Sequence, residues 1–355
     1  MAVIASQAPI FYAEIGCAEL SNYLRTSKPS IIFVLVDTNT HNNCLNIFLQ
    51  QLETTITIEV IEMEAGEEHK NIETCSGIWE TLSELGADRK SLMINLGGGV
   101  VTDLGGFVAS TFKRGIDYIN VPTSLLAMVD ASVGGKCGVD LGNLKNQIGV
   151  INQPQMVLID SQYLTSLPAN EMRSGLAEVL KHGLIASETY WEKATNLEAL
   201  TLEDLDDLII ESINIKSSIV QQDPTEQSIR KTLNYGHTLG HAIESYFLTN
   251  PNKVTLLHGE AIAAGMVMAT HLSFKICGFP ENKLRDITKK LNELFPKIDL
   301  LEEDYKIVID LLKFDKKNSH GNINFVLLKD IGEAKIDVNV PNDQLLEAMN
   351  YYLKN

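Results

Sequence analysis

Cysteine is scarce in this chain and badly placed for structural work. The five residues, Cys17, Cys44, Cys75, Cys137 and Cys277, are odd in number, widely scattered and nowhere in a CxxC spacing. They predict neither a disulfide framework nor a thiolate metal site, and a reducing cytoplasm suits them best. Long apolar runs are missing, so no transmembrane helix is expected. The first residues, MAVIASQAPIFYAEIG, lack the basic start and small-residue cleavage site of a signal peptide. Positive charge is in short supply: 29 Lys and Arg stand against 46 Asp and Glu, a formal net charge of −17. That balance excludes nucleic acid and anionic membrane as partners. It also means that an anionic ligand would need cations concentrated locally. Internal repeats, low-complexity tracts and Ser/Gly linkers are absent as well. With 355 residues and 45% apolar content, the expectation is two closely packed domains with a binding cleft between them.

What is present divides into two halves. Residues 1–160 read as an α/β nucleotide-binding domain with a parallel sheet. The run IIFVLVD (31–37) is β-branched throughout, as in a strand buried on both faces. It ends at Asp37 and Asn39, where open α/β sheets bind ligands. Further strands are expected at 56–63, from Ser91 into the glycines 97–99, at 115–122 and at 154–160. The segment AGEEHK (65–70) reads as a charged start to the helix that follows it. In SLMINLGGGVVTDLGG a strand runs into Gly97-Gly98-Gly99 and a helix holding Asp103, so backbone N–H groups can approach a pyrophosphate. It is neither the GxGxxG fingerprint nor a P-loop, and a tight turn with close packing explains it about as well. Thr123 and Ser124 follow another strand end. Residues 130–152 are Gly-rich and low in helix propensity, and carry Asp130, Lys136, Lys145 and Asn146.

Residues 161–355 change character to a mainly α-helical domain, with helices expected at 170–186, 202–222, 225–247, 259–277, 281–294, 304–313 and 342–353, and a β-ribbon of 322–328 with 334–340. In RSGLAEVLKHG, Glu178 and Lys181 are neighbours on one helix face. If the stretch from Arg230 is helical to about Tyr246, then Arg230, Asn234, His237 and His241 share one stripe at i, i+4, i+7 and i+11. His258 opens the next apolar helix and could reach the same point. Two histidines at i, i+4 can share one metal, or one can bind metal while the other meets substrate. Four polar groups in register favour a metal site over satisfied core histidines.

Eight collinear stretches resemble the 3-dehydroquinate synthase family: GEEHK, GGGVVTDLGGFVAS, VPTSLLAMVDASVGGK, LKNQIG, GLAEVLKHGLI, RKTLNYGHTLGHAIE, LHGEAIAAGM and FDKKNSHGNINFVLL. The resemblance implies an NAD-binding N-terminal domain and a C-terminal domain carrying one divalent metal, Zn2+ or Co2+, on Glu178, His237 and His258. It implies NAD contacts at Asp37, Asn39, Glu67, Lys70, Gly98, Gly99, Asp103, Thr123, Ser124, Lys136, Lys145, Tyr163 and Ser166. Substrate and catalytic positions would be Asp130, Lys136, Asn146, Lys181, Lys216, Arg230, Asn234, His241 and Lys317. Arg114 would reach the substrate phosphate from a neighbouring subunit of a homodimer. The implied reaction converts the anionic sugar phosphate 3-deoxy-D-arabino-heptulosonate 7-phosphate into 3-dehydroquinate and phosphate, in the shikimate pathway to chorismate and aromatic amino acids. Its steps are oxidation, phosphate elimination, re-reduction, ring opening and aldol closure, with NAD restored each turnover. Ala65, Ser124, Asp140 and Leu144 depart from the family pattern on the cofactor side. The rival readings are another sugar phosphate cyclase and an NAD- and metal-dependent polyol or glycerol dehydrogenase.

Overall fold

The structure, a computed structural model, describes residues 7–142, 144–196, 202–312 and 323–355. It divides into two compact units, Met1–Met172 and Arg173–Asn355. Sequence character alone put the change at 160/161. Residues 161–168 go with the first unit because Tyr163 is buried there, beside Cys17, Phe48 and Leu158.

The first unit is built on a six-stranded sheet: β1 (Ile10–Tyr12), β2 (Ile32–Asp37), β3 (Ile58–Met63), β4 (Leu92–Gly97), β5 (Asp117–Pro122) and β8 (Val157–Ile159), in the order β1-β8-β5-β4-β2-β3. Every pairing in it is parallel. Central strands of such a sheet are covered on both faces, so β2 and β4 are apolar almost throughout and buried. The helices are α1 (Ala13–Ser27), the short α2 (Thr38–Thr40) and α3 (Asn46–Gln51), α4 (Ile72–Glu84) and α5 (Gly99–Thr111). From β2 the order runs one way to β3 and the other way to β4, β5 and β8. The carboxyl ends of β2 and β4 therefore flank the switch point where open α/β sheets take ligands. Asp37 and Gly97 to Gly99 lie at those two ends.

The expected Gly-rich loop at 130–152 is instead a β-hairpin, β6 (Lys136–Leu141) with antiparallel β7 (Leu144–Ile151). Gly138 faces Gly149 across it. The two backbones come so close there that a Cβ on Gly149 would lie 2.4 Å from the Cys137 carbonyl oxygen. Glycines needed for this approach read in sequence as turn formers.

The second unit is mostly helical: α6 (Ala169–Ala186, starting just ahead of the boundary), α7 (Glu188–Thr195), α8 (Leu202–Gln222), α9 (His237–Thr249), α10 (His258–Leu272), α11 (Glu281–Leu294), α12 (Tyr305–Leu312) and α13 (Asn342–Lys354), with a hairpin of β9 (Asn324–Asp330) and β10 (Glu333–Asn339). Helix α10 is apolar on all sides and buried from Ala261 to Leu272, packed against α9, α11, α13 and β9. No helix among the described residues is long and apolar enough to cross a membrane.

The single helix expected over 225–247 does not form. The Asp223 carboxylate accepts the backbone N–H groups of Gln227, Ser228 and Arg230 at 2.6–3.1 Å, folding the chain into a turn. A 3-10 helix covers Ile229–Asn234, and Gly236 then adopts φ +77° before α9 begins. The polar stripe is therefore cut between Asn234 and His237. Leu239, Ala242, Ile243 and Tyr246 of α9 are buried.

Candidate metal and cofactor site

Glu178 lies in the middle of α6 and is fully buried. Its Oε2 takes the ammonium of Lys181, one turn on and itself 1% exposed. Its Oε1 is buried and accepts no hydrogen bond. That oxygen sits 3.3 Å from Nε2 of His237 and 3.4 Å from Nε2 of His258.

The opposite ring nitrogens decide what those Nε2 atoms offer. His237 Nδ1 is 3.0 Å from the Tyr235 carbonyl, and His258 Nδ1 is 3.3 Å from Oε2 of Glu244. A carbonyl or carboxylate oxygen only accepts, so each Nδ1 carries a proton, and once Nε2 gives up its own each imidazole turns a lone pair towards Glu178. In that state three acceptors converge around one point suited to a cation. One carboxylate and two imidazoles are a donor set suited to a catalytic zinc or similar divalent ion, with positions left for substrate oxygens. The electrostatics agree. Burial pushes the Glu178 carboxyl up, but the Lys181 ammonium and the His237 imidazole outweigh it and hold it well below the usual carboxylate range. Burial would lower His258, yet Glu244 and Glu178 push it up to about 10. The field that would hold a proton there would hold a metal as well.

His241 belongs to the same cluster. Its ring centroid is 5.1 Å from that of His237 and 5.8 Å from that of His258, and the three histidines can bring ligand nitrogens within 4.8 Å of one another. Geometry alone leaves His241 as either a ligand or a neighbour. Lys216 and Arg230 are also buried, at 6% and 1% exposure. The Arg230 guanidinium donates to the Pro224 carbonyl at 2.6 Å, and the Asn234 amide donates to Glu226 at 2.6 Å. Lys317 lies outside the described residues.

Behind the site, α6 is locked by a chain the sequence did not reveal. Tyr190 donates to the Leu208 carbonyl at 2.8 Å, so its oxygen accepts from Ser212, also at 2.8 Å. Ser212 then accepts from Nδ1 of the fully buried His182 at 3.0 Å.

In the first unit the expected cofactor residues form two groups. At the switch point, the Asp37 carboxylate caps α2 by accepting the Thr40 N–H at 2.7 Å, and Asn39 is exposed beside it. Gly98 and Gly99 begin α5, Thr123 N–H donates to the Gly97 carbonyl at 3.0 Å, and Ser124 Oγ lies 3.3 Å from where a Gly98 side chain would start. The second group is ionic. Lys70, 4% exposed, donates to Asp103 at 2.7 Å and to the Asn146 amide oxygen at 2.8 Å. Lys145 pairs with Glu67 at 2.7 Å, and Asp140 accepts the Asn146 N–H at 2.6 Å. Burial would lower the Lys70 pKa, but Asp103, Glu67 and Asp140 raise it. Asp140, noted in the sequence only as a departure from the family pattern, is thus part of this network. Tyr163 and Ser166 lie in the 3-10 segment Ser161–Ser166; Asp130 lies in the π-helical turn Ala127–Ala131, and Lys136 opens β6. Arg114 is exposed on a turn where it and Lys113 both have positive φ, +71° and +48°.

The family model described as 3-dehydroquinate synthase N-terminal matches residues 60–174, and the C-terminal one matches 175–318. A curated 3-dehydroquinate synthase from Parabacteroides distasonis is 41% identical over 337 residues, covering 94% of this chain and 95% of that one. The chain belongs to the 3-dehydroquinate synthase family.

Among solved structures, a 2-deoxy-scyllo-inosose synthase complexed with carbaglucose-6-phosphate, NAD+ and Co2+ superposes with a TM-score of 0.83 at 24% identity, covering 98% of this chain and 99% of that one. The 2-epi-5-epi-valiolone synthase of Streptomyces hygroscopicus subsp. jinggangensis 5008, with NAD+ and Zn2+ bound, gives 0.81 at 22%, covering 100% and 99%. At these identities the likeness establishes a shared fold alone. The choice of substrate rests on the closer relatives and on side chains.

Proposed function

We propose that this chain converts 3-deoxy-D-arabino-heptulosonate 7-phosphate into 3-dehydroquinate and phosphate, with NAD held by the first unit and one divalent cation held by Glu178, His237 and His258. The observation that carries the reading is the convergence of those three lone-pair donors on one point, in a chain 41% identical over nearly its whole length to a 3-dehydroquinate synthase. When bound, NAD supplies a hydride acceptor and the cation a Lewis acid for substrate oxygens.

The chain's own residues would do the rest. Lys181, Lys216 and Arg230 bring permanent positive charge to a protein of net charge −17, and would meet the substrate carboxylate and phosphate, the guanidinium by a two-point contact. Asn234 would fix a hydroxyl by hydrogen bonding. Holding one bound conformation can be worth roughly 7–11 kcal/mol of the barrier. His241 would move a proton at the phosphate or ring oxygens. Glu67, Lys70, Asp103 and Lys145 would line the cofactor side, with Gly98 and Gly99 admitting the pyrophosphate against the start of α5. Arg114 would act across a homodimer, which its exposure supports.

The test is phosphate release from the heptulosonate phosphate with catalytic NAD and Zn2+. Release without net NADH is expected; accumulating NADH would instead select a dehydrogenase, and faster turnover of sedoheptulose 7-phosphate or glucose 6-phosphate another cyclase. His241→Ala should cut turnover while leaving Zn2+ and NAD affinity near the parent's.

A further inference from the structure

We propose that Glu244 is a positioning residue that orients His258 and supplies the site with a second negative charge. This rests on the metal reading given above. On α9, His237, His241 and Glu244 stand at i, i+4 and i+7, so all three share one helix face. Glu244 is 5% exposed, and carboxylates are seldom buried so deeply without a partner. Its Oε2 lies 3.3 Å from His258 Nδ1, while His258 Nε2 lies 3.4 Å from Glu178. The imidazole is therefore strung between two buried carboxylates.

The backbone at His258 is fixed by other means. Glu260 accepts the Leu257 N–H at 3.0 Å, and Ser174 accepts the Gly259 N–H at 2.9 Å. Gly259 sits so tightly on α6 that a side chain there would begin 2.1 Å from the Ser174 carbonyl oxygen. With the main chain held, what remains to be set is the ring's rotation and tautomer, and Glu244 sets both. His237 differs in that its Nδ1 faces the neutral Tyr235 carbonyl. A carbonyl orients a ring; a carboxylate also makes the imidazole a stronger donor. With a divalent cation bound, Glu178, Glu244 and Lys181 bring the local charge to about +1. Losing Glu244 would raise it to about +2 and weaken the hold on the cation.

Cobalt(II) is the probe, titrated into metal-free parent, Glu244→Gln and Glu244→Ala against a competing chelator, with the visible absorption of the bound ion recorded. The parent should bind one cobalt per chain, and Glu244→Ala should bind it about 10–100-fold more weakly. Glu244→Gln keeps an oxygen towards Nδ1–H but no charge; it should fall between the two and shift the visible bands, while its metal-free melting stays with the parent's. That combination separates positioning of the ligand from a general loss of packing, and Gln decides the matter if the Ala variant does not fold. A parent that takes no cobalt removes the metal reading and this inference together. A parent that binds, with both variants matching it in affinity and spectrum, overturns this inference alone.

Discussion

The two units each bury a polar cluster, and the clusters differ in how their charges close. Around Lys70 a cation or amide meets an acceptor at every step of the chain: Lys70 to Asp103 and Asn146, Lys145 to Glu67, Asn146 to Asp140. Donors and acceptors alternate, so the network is largely complete within the protein. Around Glu178 the Nε2 atoms of His237 and His258 lie 3.3 and 3.4 Å from one carboxylate oxygen, with each Nδ1 turned away towards Tyr235 or Glu244. Under the proposed function a divalent cation completes that cluster. A network satisfied from within holds its segments together, whereas the proposed role of the Glu178 cluster is to take up a cation.

Glu178→Gln would break this contrast most sharply. It keeps the shape of the side chain but removes the charge on which both imidazoles converge. Cobalt affinity is expected to fall a hundredfold or more, beyond the upper range for residues that only support a ligand, and phosphate release with it. Chelator competition and a phosphate assay read the two losses, and restored phosphate release at saturating metal would show affinity, not geometry, to be the cause. Lys70→Met should do the reverse. It strands Asp103 and Asp140 beside a missing cation, and breaking a buried pair by removing one partner costs about 3–5 kcal/mol. Denaturant unfolding should register that loss while cobalt affinity stays at the parent value. If Lys70→Met instead lost metal affinity and kept its stability, the division of roles between the two clusters would be wrong.

Much of the architecture was legible in the sequence because its signals are local. Parallel strands buried on both faces demand runs such as IFVLV and LMINL, and β2 and β4 lie where those runs fall. The helix expected through Asn234 failed for a non-local reason: one carboxylate, Asp223, offers a better set of partners to Gln227, Ser228 and Arg230 than a helix start would. The hairpin of β6 and β7 was hidden because two of its glycines, Gly138 and Gly149, serve backbone approach and not turning. At the site, an HxxxH spacing left the roles of His237 and His241 open. The ligand set came from family resemblance, and the structure brings its three side chains together. Glu244 carried no signal of its own, since an acid one turn beyond His241 reads as a solvated face until α10 is seen packed over α9.

The smallest expected effects compare two aspartates of opposite sign, one in each unit. Asp304 is held below the usual carboxylate range: burial raises it, but the Tyr246 hydroxyl, the Leu301 N–H and the Lys253 ammonium, at 2.9 Å, overcome that. A depressed carboxyl contributes stability above its unfolded pKa and loses it as pH falls through the folded one. Asp304→Asn should therefore lower the melting temperature at pH 7, at about 2–4 °C per kcal/mol, and the gap to the parent should close in acid. Asp140 is raised instead, by burial above all, with Lys70 only partly compensating. Its ionisation costs more folded than unfolded, a penalty absent in acid that sets in as pH rises through the folded pKa. Asp140→Asn should thus melt about a degree or two higher than the parent at pH 7 and alike in acid. If Asp140→Asn melts lower at pH 7, then Asp140 is a needed counter-charge to Lys70, and the cofactor-side network is more tightly balanced than its desolvation implies.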